Sequence, residues 1–417
     1  MSNNKLQTLK GFRDFLPEEA EKRQYALSII RDTFELFDFE PLETPSLEYK
    51  ELLSGKYGEE GNKQMYSFTD NGGREVALRY DQTVPTARVL ATYVNSGITL
   101  PFRRFQIQPS WRADKPQSGR FREFLQCDAD IYGSVSFLAD AEILSLGGKI
   151  YKNLGFDKAY KIFINDRQHL FKLMNEASIP ENLRLIVLSI IDKLDRKSEE
   201  EVANELLEAG LEKETVEHLF HHLEETLPNE NIKNVIEQAE FLGVDKNTIN
   251  FQARLARGLD YYTSTIFEIK IEGYEGGSVC GGGRYDNLIK ELSGTDIPAV
   301  GFGLGFDRTV AAMEQFDLFP KKREGVRVLI TVFGANLSKL SAIAANYIRK
   351  KGIRCQLYPR EDTDIAKQLK YADSKKFDFA IIIGPDEAKN EKVVVKNLAT
   401  GTQKTVFLTN LPAELTK

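Results

Sequence analysis

The chain has 417 residues, which at about 150 residues per domain predicts about three domains and excludes a single small binding module. Hydrophobic residues make up 41% and charged residues 28%, enough for packed cores, and no apolar run approaches the ~18 residues of a membrane span. The opening MSNNKLQTLKGFRDF lacks the features of a signal or transit peptide, and the three distant cysteines indicate no disulfide framework. We therefore expect a cytoplasmic protein.

The first part of the chain predicts a helix followed by an antiparallel sheet. From about Pro17 to Phe37, apolar residues recur at helical spacing, and Glu18 and Glu19 favour the start of a helix. Strand-like runs follow in REVALRY (74–80), FRRFQIQPSWR (102–112) and EFLQCDADIY (123–132), with a helix predicted in TVPTARVLATYV.

Residues 166–250 change to Leu and Glu at helical spacing, including a capped helix in SEEEVANELLEAG, before strands resume in YYTSTIFEIKIE. This pattern predicts a helical insertion. One of its helices carries three histidines at a spacing that could hold a metal, but apolar residues form its buried stripe, so we expect the histidines to face solvent and predict no metal site. The histidines are His218, His221 and His222, and the stripe is Leu219, Phe220 and Leu223.

A polar linker, FPKKREG (319–325), precedes an alternation of strands and helices that predicts an α/β domain over residues 325–417. The overall net charge is −6, but this last segment has 16 Lys and Arg against 9 Asp and Glu, a net charge of +7, which leaves −13 on the rest. A basic domain on an acidic body suggests contact with a polyanion. A basic surface without a partner is the alternative.

The runs FQIQPSWR and EFLQCDADIY resemble a hairpin in which each strand has one polar face. The two-residue period places Gln126, Asp128 and Asp130 on one face of the second strand, opposite Leu125, Cys127, Ala129 and Ile131. On the first strand the same period groups Gln108 and Ser110 with Arg112. The carboxylates suit an ammonium group, Arg112 suits a phosphate, and a solvated sheet face is the alternative.

Three further features are chemically suggestive. Gly281, Gly282 and Gly283 permit close backbone approach before a helix, although no P-loop or dinucleotide fingerprint is present. Arg308 lies near the start of a predicted helix, where the dipole disfavours a cation, so it indicates either an anionic ligand or a pair with a nearby carboxylate. LARGLDYYTSTIFE joins Arg257 to a carboxylate and two phenols, which alone could be a structural salt bridge.

Together these motifs resemble the histidyl-tRNA synthetases, a family of class II aminoacyl-tRNA synthetases, over essentially the whole chain. GFRDFLPEE with EPLETPSLE resembles motif 1, SWRADKPQSGRFREFLQCDADIYG motif 2 and AVGFGLGFDRTV motif 3, and ARGLDYYT and GGGRYD resemble the histidine-specific signatures. The resemblance implies an α+β fold with a class II antiparallel sheet flanked by helices. It also implies a catalytic domain (1–165 and 251–320), a helical insertion domain (166–250) and an anticodon-binding α/β domain (325–417).

The resemblance also implies roles for individual residues. The implied catalytic residues are Arg257 and Arg112. The implied ATP-binding residues are Arg112 at the α-phosphate, Asp114, Arg120, and Arg308 on the γ-phosphate side. The implied histidine-binding residues are Gln126, Asp130 and Thr83 at the α-ammonium, Asp81 and Tyr262 at the imidazole nitrogens, and Tyr285 in the pocket wall. The family's Arg-x-Glu of motif 2 is here Arg112-Ala113-Asp114, one methylene shorter.

The implied activity is histidine-tRNA ligation, with histidine, ATP, ATP-bound Mg²⁺ and tRNA(His) as reactants, in a homodimer formed through motif 1. No tightly bound metal or organic cofactor and no membrane partner are implied. The alternative is the regulatory subunit of ATP phosphoribosyltransferase, which shares the fold and senses histidine without charging tRNA. The basic C-terminal domain and the retained arginines favour the ligase over that subunit and over a regulatory domain that binds uncharged tRNA.

Overall fold

The structure is a computed structural model that describes residues 6–55, 58–94, 96–115, 121–257, 261–321 and 325–415. The chain divides into two compact units, Met1–Phe319 and Pro320–Lys417, and the predicted linker lies at this division. The helical segment 166–250 belongs to the first unit, so its standing as a separate domain stays a prediction, as do the other domain boundaries. Within the described residues, no helix is long and apolar enough to cross a membrane.

An eight-stranded sheet forms the centre of the first unit. The strands of this unit are β1 (Glu40–Pro41), β2 (Leu47–Tyr49), β3 (Ser67–Thr69), β4 (Glu75–Leu78), β5 (Phe102–Trp111), β6 (Glu123–Tyr132), β7 (Tyr160–Asp166), β8 (Ile249–Phe251), β9 (Thr265–Ile271), β10 (Cys280–Arg284) and β11 (Ala299–Gly305). The main sheet has the order β1-β5-β6-β11-β10-β9-β7-β8, and a small sheet has the order β2-β4-β3. The strands of the main sheet pair antiparallel except at its two edges, where β1 pairs parallel with β5 and β8 pairs parallel with β7. This arrangement confirms the predicted α+β class.

Helices cover this sheet and share its core with the strands. They are α1 (Pro17–Leu36), α2 (Lys50–Leu53), α3 (Gly58–Gln64), α4 (Thr83–Tyr93), α5 (Phe137–Asn153), α6 (Arg167–Glu176), α7 (Arg184–Ile191), α8 (Glu199–Glu208), α9 (Lys213–Glu225), α10 (Glu230–Phe241), α11 (Leu288–Ser293) and α12 (Phe306–Gln315). The predicted amphipathic helix α1 starts at a proline, which suits the first helical position, and buries Ile30 and Phe34 in the same core as Cys127 and Ala129 of β6. Because that core covers the Cys127 and Ala129 face of β6, only the opposite face of this strand is available to line a functional site.

The helical segment folds as its sequence predicts. Ser198 and Glu201 form a reciprocal capping box at the start of α8. In α9, Leu219 and Phe220 are buried, whereas His218 and His221 are exposed. A second core joins these helices to α4, α11 and the tyrosines of β6 and the β10 region.

The second unit is a five-stranded sheet with helices. Its strands are β12 (Arg327–Ile330), β13 (Arg354–Leu357), β14 (Phe379–Ile382), β15 (Lys392–Asn397) and β16 (Gln403–Phe407), and its helices are α13 (Ala335–Lys350), α14 (Ile365–Ser374), α15 (Pro385–Lys389) and α16 (Leu411–Leu415). The sheet order is β13-β12-β14-β15-β16, parallel over the first three strands and antiparallel thereafter. The predicted alternation is confirmed, but the edge strand β16 and the short helices α15 and α16 were not predicted from the sequence.

Candidate active site

A cavity of about 480 Å³ opens on the face of the main sheet opposite α1. Of the predicted site residues, all except Arg120 line this cavity, and Arg120 lies outside the described residues. The residues brought together are Asp81, Thr83, Arg112, Asp114, Gln126, Asp130, Arg257, Tyr262, Tyr285 and Arg308. Residues separated by more than 200 positions in the sequence therefore share one cavity, while their individual roles stay predictions.

The β5–β6 hairpin supplies the floor of the cavity. Its register pairs Phe102 with Tyr132 and Trp111 with Glu123, so β6 has its predicted bounds and β5 ends one residue before its predicted end at Arg112. Asp128 and Asp130 line the cavity and are only 2% and 3% exposed. The alternative of a solvated sheet face is therefore wrong. The polar face is buried and must be satisfied by protein or ligand.

Asp130 is held by two partners that close the deep end of the cavity. Its carboxylate lies 2.6 Å from a guanidinium nitrogen of Arg104, its cross-strand neighbour, and accepts a hydrogen bond from the Tyr285 hydroxyl. Burial disfavours the charged guanidinium, but the surrounding acidic groups, led by the Asp130 carboxylate, together raise the pKa of Arg104. Burial also raises the pKa of Asp130, although Arg104 and the Tyr285 hydroxyl act to lower it. Arg104 and Tyr285 therefore fix the position of the Asp130 carboxyl group.

Asp128 is less well satisfied. Its Oδ1 atom is buried and has no hydrogen-bond partner among the described residues. Burial raises the pKa of Asp128 well above its usual range, with Asp130 and Asp81 adding to the rise. An unsatisfied buried oxygen on a cavity floor is a position where a ligand donor would be stabilised.

Aromatic rings form the wall near Asp130. Tyr261 contacts Tyr262 at 4.9 Å and Tyr285 at 5.7 Å between ring centroids. Burial raises the pKa of Tyr262 although Arg257 acts to lower it, so its phenol is neutral at ordinary pH and can both donate and accept a hydrogen bond. On the same side, Asp81 precedes α4 and accepts a hydrogen bond from the Val84 backbone at 3.2 Å.

Three arginines face the cavity from different elements. The Arg112 guanidinium lies over the rings of Tyr80 and Phe124, at 4.3 and 5.2 Å. Arg308, in the first turn of α12, donates from Nη1 to the Ser278 carbonyl at 2.8 Å. Arg257 donates from Nη1 to Glu268 at 2.7 Å at the cavity wall. The nearer carboxylate considered from the sequence, Asp260, lies outside the described residues, so that salt bridge stays a prediction.

Glycines in β10 and β11 make room for these side chains. Gly281 and Gly283 lie inside β10, and the helix expected after them is α11. A methyl group on Gly281 would lie 2.1 Å from Nη1 of Arg257, and one on Gly283 would lie 2.9 Å from the ring of Tyr262. The glycines therefore serve close approach of side chains to the sheet.

The strand register orders these groups along the cavity. Asp130, Gly301 and Gly283 are neighbours across three strands, and Tyr262 covers the last of them. Two residues along, about 7 Å away, Asp128, Gly303 and Gly281 form the next row, which Arg257 covers. Gln126 and Gly305 form a third row, beside which the stem of Arg308 lies. Asp130 and the phenol of Tyr262 thus occupy one end, Arg257 covers the middle row, which also holds Asp128, and Arg308 lies beside Gln126 at the other end.

Several cavity residues were not identified from the sequence. Glu268, Tyr261, Asp192 and Arg196 line the cavity, and Arg104 contacts Asp130 on the same face of the sheet. Arg104 was detectable, because the two-residue period that selected Arg112 on β5 also places Arg104 on that face. Asp192 and Arg196 come from the helical segment and carry no local signal, since only the tertiary fold brings them to the sheet.

Comparison with known proteins agrees with this arrangement. The family model for histidyl-tRNA synthetase matches residues 11–309, and an anticodon-binding domain model matches residues 327–417. The chain belongs to the histidyl-tRNA synthetase family. It is 38% identical to the histidine-tRNA ligase of Gloeobacter violaceus over 97% of both chains, and 37% identical to that of Rhodopirellula baltica over 94% and 93%.

Solved structures of the family have the same fold. The histidyl-tRNA synthetase of Nostoc superposes with a TM-score of 0.82 at 28% identity, covering 99% of both chains. The apo enzyme of Staphylococcus aureus superposes with a TM-score of 0.74 at 25% identity, covering 99% of this chain and 100% of the other.

The glycine arrangement generates a stability prediction. In Gly301→Ala the new methyl would lie 1.9 Å from Asp130 Oδ1 and 2.5 Å from the Ala129 carbonyl oxygen. That carbonyl belongs to the backbone of the paired strand β6, so it cannot move away from the methyl. We expect a loss of about 1 to 3 kcal/mol, seen as a lower Tm in thermal unfolding. The control Gly303→Ala meets first the end of the Gln126 side chain, at 3.0 Å, and should cost less. Equal losses in the two variants would contradict this account.

Proposed function

We propose that the cavity activates histidine with ATP, and that the chain then transfers the histidyl group to the 3′ end of tRNA(His), the histidine-tRNA ligase reaction of its family. The observation that carries the proposal is the order of charges along the cavity. Asp130 and the tyrosines at one end suit an amino acid with an ammonium and an imidazole, and Arg112 and Arg308 at the other end suit a triphosphate.

The chemistry needs cations rather than an acid-base pair. A histidine carboxylate oxygen attacks the α-phosphorus of ATP, the bond from that phosphorus to the bridging oxygen breaks, and pyrophosphate leaves without proton transfer. Negative charge builds on the transferring group, and fixed positive groups stabilise it. Arg257 lies in the middle row, between the two ends, where this phosphorus would lie.

Histidine recognition is assigned to the residues around Asp130, together with Gln126, which lies in the third row on the same strand. Carboxylates and phenols in a closed pocket select a side chain that hydrogen-bonds at both ring nitrogens, because any other side chain would leave buried polar groups unpaired. The proposed histidine-binding residues are Asp81, Thr83, Gln126, Asp130, Tyr262 and Tyr285. Their division between the ammonium and the imidazole stays a prediction.

ATP is assigned to Arg112, Asp114, Arg120 and Arg308, of which Arg120 rests on the sequence alone. Mg²⁺ is proposed to arrive with the nucleotide, whose phosphate oxygens are the hard ligands that this ion prefers. In the cavity the arginines suit the remaining phosphate charge.

The regulatory-subunit alternative is less well supported. A Bacillus halodurans protein described as an ATP phosphoribosyltransferase regulatory subunit/histidyl-tRNA synthetase superposes with a TM-score of 0.73, but at 21% identity it shows the fold alone. The match of residues 327–417 to an anticodon-binding domain and the cavity arginines support the ligase.

The direct test is exchange of pyrophosphate into ATP, measured with each of the twenty amino acids in turn. We expect exchange with histidine only, because the polar groups at the deep end discriminate against other side chains. Exchange stimulated equally by another amino acid, or by none, would refute the proposal.

The second unit is proposed to bind the tRNA anticodon. Its positive charge suits a phosphate backbone, and it has its own sheet and core. A chain ending at residue 321 should keep histidine-dependent pyrophosphate exchange and lose most tRNA charging, because only tRNA affinity depends on this unit. The two reactions measured on one preparation check this. Full charging by the shortened chain would assign the unit another role.

A homodimer through motif 1 is also proposed. On the small sheet, Leu47, Tyr49 and Phe68 are about half exposed, at 43%, 56% and 48%, in a cluster of apolar groups that a partner would cover. Replacing Tyr49 and Phe68 together by Glu should give a monomer in sedimentation velocity, because two charges cannot be buried unpaired. The same replacement at Tyr93, an exposed aromatic residue of α4, is the control. A variant that stays dimeric would place the interface elsewhere. The cytoplasmic location stays a prediction.

A further inference from the structure

Glu268 is a charged residue inside a strand whose neighbours are buried. It is 8% exposed, and Phe267 and Ile269 beside it pack into the core on the other face of β9. A carboxylate in this position is costly unless it is paired. The alternation of β9 places Glu268 on the cavity face of the strand, and a buried carboxylate that lines an active-site cavity is a candidate functional residue.

Glu268 lies between two cations. Its Oε1 accepts a hydrogen bond from Arg257 at 2.7 Å, and its Oε2 lies 3.7 Å from the Lys270 ammonium. Glu268 therefore has a cationic neighbour at each of its two carboxylate oxygens. Lys270 in turn contacts Asp195 of the helical segment at 3.0 Å.

The space that the Arg257 guanidinium occupies exists because the residue beneath it is a glycine. Gly281 is the cross-strand neighbour of Glu268, and any side chain there would occupy the space of the Arg257 guanidinium. The Arg257 backbone has a φ of 55°, which is uncommon outside glycine and persists only when its surroundings hold it. Arg257 Nε is buried without a hydrogen-bond partner among the described residues, so a donor remains for a ligand.

We propose that Glu268 is a positioning residue for adenylation, whose carboxylate holds the Arg257 guanidinium over Gly281 so that its remaining donors meet the α-phosphate. This inference rests on the proposed function. Fixing a flexible arginine before the substrate arrives removes the cost of ordering it during the reaction. Glu268 touches no reacting atom and acts only through Arg257.

A double-mutant cycle on pyrophosphate exchange tests this dependence. Glu268→Gln should lower kcat about tenfold and change the KM for histidine and ATP less than about twofold, because a positioned cation matters most in the transition state. Arg257→Ala should lower kcat by about 10² to 10³. The double variant should be no slower than Arg257→Ala alone. The proposal would be overturned if the decrease in kcat of the double variant equalled the product of the two single decreases. It would also be overturned if Glu268→Gln left kcat unchanged.

Two further variants separate positioning from general stability. Glu268→Asp keeps the charge but shortens the side chain, so its kcat should lie between those of the original protein and Glu268→Gln. Glu272→Gln is the matched control, because Glu272 follows the same strand, is 63% exposed in its side chain and lies 3.8 Å from Lys161 outside the cavity. It should leave exchange unchanged. A Glu268→Asp variant as slow as Glu268→Gln and less stable would indicate a structural role.

A crystal structure of Glu268→Gln gives a result that does not depend on activity. We expect the Arg257 guanidinium to leave Gly281 or to occupy more than one orientation. A single unchanged orientation would overturn the inference even if exchange fell. If the unmodified protein shows no histidine-dependent exchange, the proposed function fails, and this structure alone decides whether Glu268 positions Arg257.

Discussion

The cavity exists because the strands beneath it lack side chains. At Gly281 and Gly301 even one methyl group would lie about 2 Å from Arg257 or Asp130. Glycine weakens a strand, because it has no side chain to pack and loses more backbone freedom on folding. The sheet compensates by placing β10 and β11 centrally, where each is paired on both sides. The rows of site residues follow from the register of these pairs.

Buried charges make the site rigid before any ligand arrives. Asp130 is fixed by Arg104 on the neighbouring strand, and Arg257 is fixed by Glu268. Each pair would be a weak source of stability by itself, because desolvation offsets much of the attraction. Their value is orientation, since groups that are already oriented need little reorganisation when charge develops on a substrate.

The sequence predicted what depends on local periodicity and missed what depends on tertiary contact. The polar face of β6 followed from a two-residue period, and α1 from helical spacing. The sequence indicated close approach at Gly281 but not which group approaches, because only the tertiary fold brings Arg257 to it. Glu268 was missed because a single carboxylate in a strand-like run gives no sign that it will pair with Arg257. Strand β16 was missed because it is a mostly exposed edge with almost no alternation in burial.

The order of strands in the sheet differs from their order of synthesis. Strand β6 ends at Tyr132, but its partner β11 begins at Ala299, and the whole helical segment lies between them. At ribosomal speeds of about 5 to 20 residues per second, one edge of β6 therefore waits roughly 10 to 30 s for its neighbour. During that interval the carboxylates and Cys127 of β6 lack the cover that β11 and α12 later give. The glycine strands that make the cavity are also the ones that complete the sheet.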